Sequence, residues 1–405
     1  MACMETIVQY LNREQRTFAE SPFNAIDSLV LSSLSYLNFD EAQPRFSDIH
    51  DSLVPHGNRA VLLHDILTLA DRAALIRNCW LEDTDETFSF LNAVTASRRY
   101  RDVRVMHHVS EQSASVEKQF SATTFALQYW GGPQTSASPA AAYLAFRGTD
   151  GSLAGWKEDF NLAFREVIPS QRSAEAYVSG VVSALDPQVA VMVGGHSKGG
   201  NLAEYAALCV DDATFRRIKA VYNHDGPAFP TVPSDRADGL AFQSILDKTV
   251  PDSSLFGMLF ENRDEFRVVR SSATAVFQHM PLSWLVDGDD FALQADLNPT
   301  AASLDGAINE WISSLPGEER EKLVDSLYGI IASTNVSTWA ELLSEFPRHA
   351  RSILDAGTAL DDDTRRFLLA MVARFAVVFP NAAKSRIEQA KRSGMDHGWA
   401  KETPS

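Results

Sequence analysis

The stretch Gly194-Gly195-His196-Ser197-Lys198-Gly199-Gly200 decides how the chain is read. It follows the apolar run Val189-Ala190-Val191-Met192-Val193, short enough for a buried strand. It precedes Asn201-Leu202-Ala203-Glu204-Tyr205-Ala206-Ala207-Leu208-Cys209, rich in good helix formers with apolar residues at helical spacing. Gly195-x-Ser197-x-Gly199 between a strand and a helix is the pattern of a nucleophile elbow. Such a sharp turn holds the serine in a strained conformation and leaves no room for side chains two residues to either side. Both of those positions are glycine. The turn also sets Ser197 at a helix N-terminus, where free N–H groups stabilise a developing negative charge. A phosphate loop would need Gly-x-x-x-x-Gly-Lys-Ser/Thr, which is missing here.

The rest of the chain sets broad limits. Its 405 residues are 45% hydrophobic and 22% charged, an ordinary globular composition with enough length for a large core. A formal net charge of -17 argues against a nucleic-acid-binding face and against anionic bilayers. Three cysteines, Cys3, Cys79 and Cys209, are too few and too far apart for a disulfide framework and suggest a reducing compartment. The first residues lack a basic region followed by an apolar core, so no signal peptide is expected. No apolar run approaches the about 18 residues of a membrane helix. These features together predict a cytoplasmic protein without a transmembrane segment.

Residues 1–95 read as a helical region. Within it, Asn24 to Tyr36 has apolar residues at helical intervals behind Ser21-Pro22, and Asp27 falls in that face as a cap or buried hydrogen-bonding group. Residues 96–300 alternate between strand and helix patterns. Thr123 to Trp130 and Ala141 to Phe146 read as neighbouring strands across a Gly/Pro/Ser-rich turn, and Ile218 to Asn223 as the strand after the elbow helix. This alternation predicts an α/β core with a mostly parallel sheet and helices on both faces. Residues 301–405 turn helical again, as in Glu318 to Tyr328, and are expected to pack on the core.

A serine nucleophile requires a base, an acid to orient it and donors for an oxyanion. The donors expected are the N–H of Lys198 and that of Thr149, in the turn Phe146-Arg147-Gly148-Thr149-Asp150 that ends an earlier strand. Gly148 would let the backbone approach the substrate, and Thr149 adds a hydroxyl. Trp156, in the small-residue segment that follows, is a candidate pocket wall.

Phe146-Arg147-Gly148-Thr149, Trp156, Asp159 and Gly195-His196-Ser197-Lys198-Gly199 together resemble the class 3 (triacylglycerol) lipases of the α/β-hydrolase fold. A bacterial lipase-like family of the same superfamily resembles the chain more broadly, over about residues 20–330. It shares Asp27 to Tyr36, the lysine in the elbow, Asn223 to Pro227, Ser254 to Met258 and Gln278-His279. The resemblance implies an α/β-hydrolase-type core, no cofactor and no metal. It also implies a triad in the order serine, acid, histidine. His279 matches the position of the lipase base, with His224 as the other candidate and otherwise a pocket residue. Asp252, after the strand-like Lys248-Thr249-Val250-Pro251, is the expected acid, with Asp225 and Asp247 as alternatives.

The activity expected is hydrolysis of a carboxylic ester, the substrate a small-molecule or lipid acyl ester. The competing class is a non-catalytic binding or scaffold module on the same fold. Unlike the lipases, the chain has a charged residue after the serine. Lys198 and Arg147 beside the pocket would favour a polar or anionic head group, unless Lys198 is paired internally with Asp159 or Glu204.

Overall fold

The computed structural model describes residues 4–41, 60–77, 79, 85–129, 139–150, 157–159, 161–162, 165–254, 256–260, 265–314 and 329. The chain opens with β1 (Glu5–Thr6), α1 (Ile7–Arg13) and α2 (Ala25–Leu34), followed by β2 (Val61–Leu62), α3 (Leu63–Leu69), α4 (Arg72–Ile76) and α5 (Asp85–Ala96). Three long strands come next, β3 (Arg104–Ser113), β4 (Lys118–Tyr129) and β5 (Pro139–Phe146). Then α6 (Pro169–Ala184), β6 (Ala190–His196), α7 (Lys198–Cys209) and β7 (Ile218–His224) alternate, leading to β8 (Leu246–Pro251) and β9 (Arg267–Val269). The short strands β10 (Leu285–Asp287), β11 (Asp290–Phe291) and β12 (Leu293–Gln294) precede α8 (Pro299–Ser314).

Nine strands form one mixed sheet in the order β12-β9-β8-β7-β6-β5-β4-β3-β2. The five strands β5 to β9 run parallel, while β2, β3, β4 and β12 join antiparallel at the two flanks. The expected mostly parallel sheet is thus parallel in its centre only. The physical reason is the connection: β3, β4 and β5 follow one another too closely for a crossover, whereas β5 reaches β6 through α6, and β6 reaches β7 through α7. Strands β1, β10 and β11 make a separate small antiparallel sheet.

Side-chain alternation along the central strands divides the core into two layers. Ala142, Leu144 and Phe146 of β5, with Val191, Val193 and Val221, pack beneath α6 and α7. Tyr143, Ala145, Met192 and Tyr222 point the other way, against α1, α2, α3 and α5. The helical region 1–95 therefore covers one face of the sheet, and Val61–Leu62 adds an edge strand to it. All ten residues of α2 are buried. Of the region 301–405, the described part is α8 through Ser314 and residue 329; the expected helix over Glu318 to Tyr328 lies outside the described residues. No helix among the described residues is long and apolar enough to cross a membrane.

Candidate active site

The site stands at the C-terminal edge of the parallel strands. Strand β6 ends at His196 and α7 begins at Lys198, so Ser197 alone makes the turn. It does so at φ 59° and ψ −133°, a conformation that a side chain rarely adopts. From Val191 to Leu208, Ser197 is the one residue that is not buried. The glycines work as the sequence requires: a Cβ on Gly195 would strike the backbone of Gly199, and one on Gly199 would strike the Phe146 carbonyl. The elbow is therefore pressed against the end of β5, from which the Gly148-Thr149 turn emerges.

The neighbouring strand supplies the carboxylate that meets His279. His196 pairs in register with His224, so Asp225 follows β7 beside Ser197, and the Ser197 amide donates to the His224 carbonyl at 2.9 Å. Asp225 is itself strained, at φ 53°. Its Oδ2 accepts from His279 Nδ1 at 2.6 Å. Its Oδ1 accepts from the Gly257 amide at 3.1 Å and from the Ser254 hydroxyl. A carboxylate with three donors and no exposure has one orientation available to it. With Nδ1 as donor, the imidazole is in the tautomer whose basic nitrogen is Nε2.

This corrects the expected acid. Asp252 follows β8, one strand further from the elbow, and its carboxylate turns to Ser253 Oγ (2.9 Å) and Gln294 Nε2 (3.3 Å). Asp247 begins β8 at the opposite end of the strand and pairs with Arg267 at 2.7 Å. Of the three aspartates, Asp225 is the one that meets His279.

His279 ends a single 3-10 turn, Ala275–His279, and is 5% exposed. The elbow holds its backbone: His196 Nε2 donates to the His279 carbonyl at 2.7 Å. His196 Nδ1 in turn accepts from the Tyr36 hydroxyl at 3.1 Å. His196 is thus a structural group. The Phe256 ring lies 4.5 Å from the imidazole of His279. Tyr36, Ser254 and Phe256 escaped the sequence reading as site residues, because nothing in their spacing marks them; each is defined by a contact with a distant segment.

Other expected residues fall elsewhere. His224 is corrected from pocket residue to core: it is fully buried, with Ser28 Oγ at 2.9 Å from Nε2 and Thr249 Oγ1 at 2.7 Å from Nδ1. Gly148 approaches the elbow rather than an open pocket, since a Cβ there would meet the Tyr36 hydroxyl and the His196 carbonyl. The Thr149 hydroxyl donates to Asp159. Trp156 lies outside the described residues.

The side chain of Lys198 is 1% exposed and points inward, to Glu158 Oε2 at 3.1 Å, Gln119 O at 3.2 Å and Asp159 Oδ1 at 3.5 Å. Burial works against its charge, but Asp159 and Glu158 outweigh it and hold the ammonium above its ordinary range. Arg147 is buried as well, at 5% exposure. The expected preference for a polar or anionic head group thus loses both cations it rested on. The internal partner proves to be Glu158 together with Asp159, not Glu204. Among the described residues no group of three or more histidine, cysteine, aspartate or glutamate side chains converges to hold a metal.

The two buried histidines make stability depend on pH. Burial, above all, holds His224 down to about 3 and pulls His196 well below its ordinary value of 6.5. Between these limits the unfolded chain binds protons that the folded imidazoles refuse. Stability is full above about pH 6.5 and falls with decreasing pH, by up to about 1.4 kcal/mol per pH unit for each histidine. Urea unfolding at pH 7 and pH 5 measures this, and His224→Gln is expected to flatten the slope. An unchanged slope in that variant would contradict the assignment.

A family model described as Mbeg1-like matches residues 94–329, more than half of the 405 residues. No curated protein and no solved structure matches the chain.

Proposed function

The chain belongs to the Mbeg1-like family, and we propose that it is a serine hydrolase that cleaves a carboxylic ester through an acyl-enzyme. The observation that carries this reading is the 2.6 Å bond from His279 Nδ1 to Asp225 at the sheet edge that also presents Ser197 at φ 59°. A buried carboxylate fixing the tautomer of a histidine, next to a strained serine at a helix N-terminus, is the arrangement nucleophilic acyl transfer needs. In this scheme Ser197 Oγ attacks the carbonyl carbon and His279 Nε2 takes the hydroxyl proton. His279 then returns the proton to the leaving alkoxide as the acyl-enzyme forms. Water repeats the cycle with the same base and frees the acid. The N–H groups of Lys198 and Thr149 receive the oxyanion.

The chain order Ser197, Asp225, His279 is that of the α/β-hydrolases, and the five parallel strands with helices on both faces suit that fold type. The lipase-like resemblance of residues 20–330 supports the same reading, with a small-molecule or lipid acyl ester as substrate.

An alkyl fluorophosphonate tests the proposal. It is expected to label the folded protein once, at Ser197, and to leave Ser197→Ala unlabelled, as read by mass spectrometry of the peptides. A folded wild type that remains unlabelled at Ser197 would instead favour a binding or scaffold module.

A further inference from the structure

The ammonium of Lys198 lies where three segments meet, α7, β4 and the residues 157–159. It bonds Gln119 O of β4 at 3.2 Å and Glu158 Oε2 at 3.1 Å, and it faces Asp159 Oδ1 at 3.5 Å. Lys198 is also the residue after the nucleophile, so its backbone and side chain serve different segments. The two carboxylates beside it are held unequally. Glu158 accepts from the Gln119 amide at 2.9 Å, from the Ser170 amide at 3.1 Å and from the Ser170 hydroxyl at 2.7 Å, and is 1% exposed. Asp159 has the Thr149 hydroxyl on Oδ2, while its Oδ1 faces the ammonium and makes no hydrogen bond among the described residues. Its side chain is 18% exposed, although Oδ1 itself is buried.

From this geometry we infer that the Lys198 side chain is a positioning residue for the oxyanion hole, acting on Thr149 through Asp159. The inference rests on the serine hydrolase reading above. Without the cation, two carboxylates on successive residues repel each other with nothing between them. Glu158 is fixed by three donors, so Asp159 is the one that moves, either swinging to water or taking a proton. The Thr149 hydroxyl then loses its acceptor, and the turn that carries the Thr149 N–H loses its link to the elbow. The two donors of the hole come from different segments, one after β5 and one at the start of α7. Asp159 and Lys198 tie those segments together. An apolar residue after the nucleophile could fill the same space but could not hold the aspartate.

The experiment is a double-mutant cycle on hydrolysis of p-nitrophenyl butyrate and on the rate of fluorophosphonate labelling. Lys198→Met keeps the stem and removes the charge; Thr149→Val removes the hydroxyl and keeps the N–H. Each is expected to lower kcat about 10²-fold, the scale of a displaced catalytic donor, with KM little changed. The double variant is expected to be no worse than the poorer single, because both act through one contact. If Lys198→Met proves unfolded by its thermal transition, Lys198→Gln, which removes the charge but keeps a polar group beside Glu158 and Asp159, takes its place in the cycle. Losses that multiply to about 10⁴-fold in the double variant would overturn the inference, as would a folded Lys198 variant with wild-type kcat. Either result leaves the hydrolase reading standing. A folded wild type that neither turns over nor labels would overturn that reading and this inference with it.

Discussion

Asp225→Asn is expected to lower ester turnover about 10⁴-fold while leaving the protein folded, whereas Asp252→Asn stays within a fewfold of wild type. The size follows from what the carboxylate does in the proposed mechanism: it holds the imidazole proton on Nδ1 and would stabilise the imidazolium formed as Ser197 attacks. An amide at position 225 can present its N–H₂ to His279 Nδ1, which turns the ring to the wrong tautomer. Position 225 tolerates the change structurally because Asn can still accept from Ser254 Oγ and the Gly257 amide, the donors now on Oδ1. Asp252 bonds Ser253 and Gln294 and no imidazole, so its amide has no tautomer to disturb. The measurement is kcat on a nitrophenyl ester for the two variants side by side, with circular dichroism as the control for folding. A large loss in Asp252→Asn with normal Asp225→Asn would return the role to the acid read from the sequence.

The largest loss of stability is expected from Asp27→Asn. Arg99 grips the Asp27 carboxylate with Nε at 2.7 Å and Nη2 at 2.6 Å, both side chains being fully buried. Tyr100 donates to the same carboxylate at 2.7 Å, and the Asn24 amide at 2.9 Å caps α2 on it. Arg99 also reaches the carbonyls of Arg16 and Pro22, each at 2.9 Å, so the pair binds the segment before α2 to the end of α5. Removing one charge leaves a buried guanidinium uncompensated, which costs about 3–5 kcal/mol. Replacing both members, Asp27→Leu with Arg99→Met, is expected to cost less than the single change, because no unpaired charge is left. Urea midpoints give the comparison. A single variant within about 1 kcal/mol of wild type would mean that the pair contributes far less than its burial implies.

What the sequence determined by itself is local. The apolar run, the two glycines flanking Ser197 and the helix formers after it establish a strand–turn–helix, because each requirement acts over seven residues or fewer. His279 was singled out by the lipase-like resemblance, and the structure places it against Asp225. The patterns at 123–130, 141–146 and 218–223 fall on β4, β5 and β7, with β4 beginning five residues before its pattern and Trp130 outside the described residues.

Direction and partnership were decided only by the tertiary structure. Asp225, Asp247 and Asp252 all adjoin strands, and no pattern along the chain says which carboxylate turns toward His279. The answer depends on β7 lying beside β6 in register, which makes Asp225 the neighbour of Ser197. His224 was misread, and the choice for Lys198 between the pocket and an internal partner stayed open, for a similar reason: whether a polar side chain faces a pocket or the core depends on what packs over it. Helix α2 covers His224, and the turn at Lys157–Asp159 brings two carboxylates to Lys198. Asp27 could be read as a cap because Asn24 is three residues away. Its partner Arg99 is 72 residues distant, and the ion pair exists only once α2 and the end of α5 are brought together on one face of the sheet.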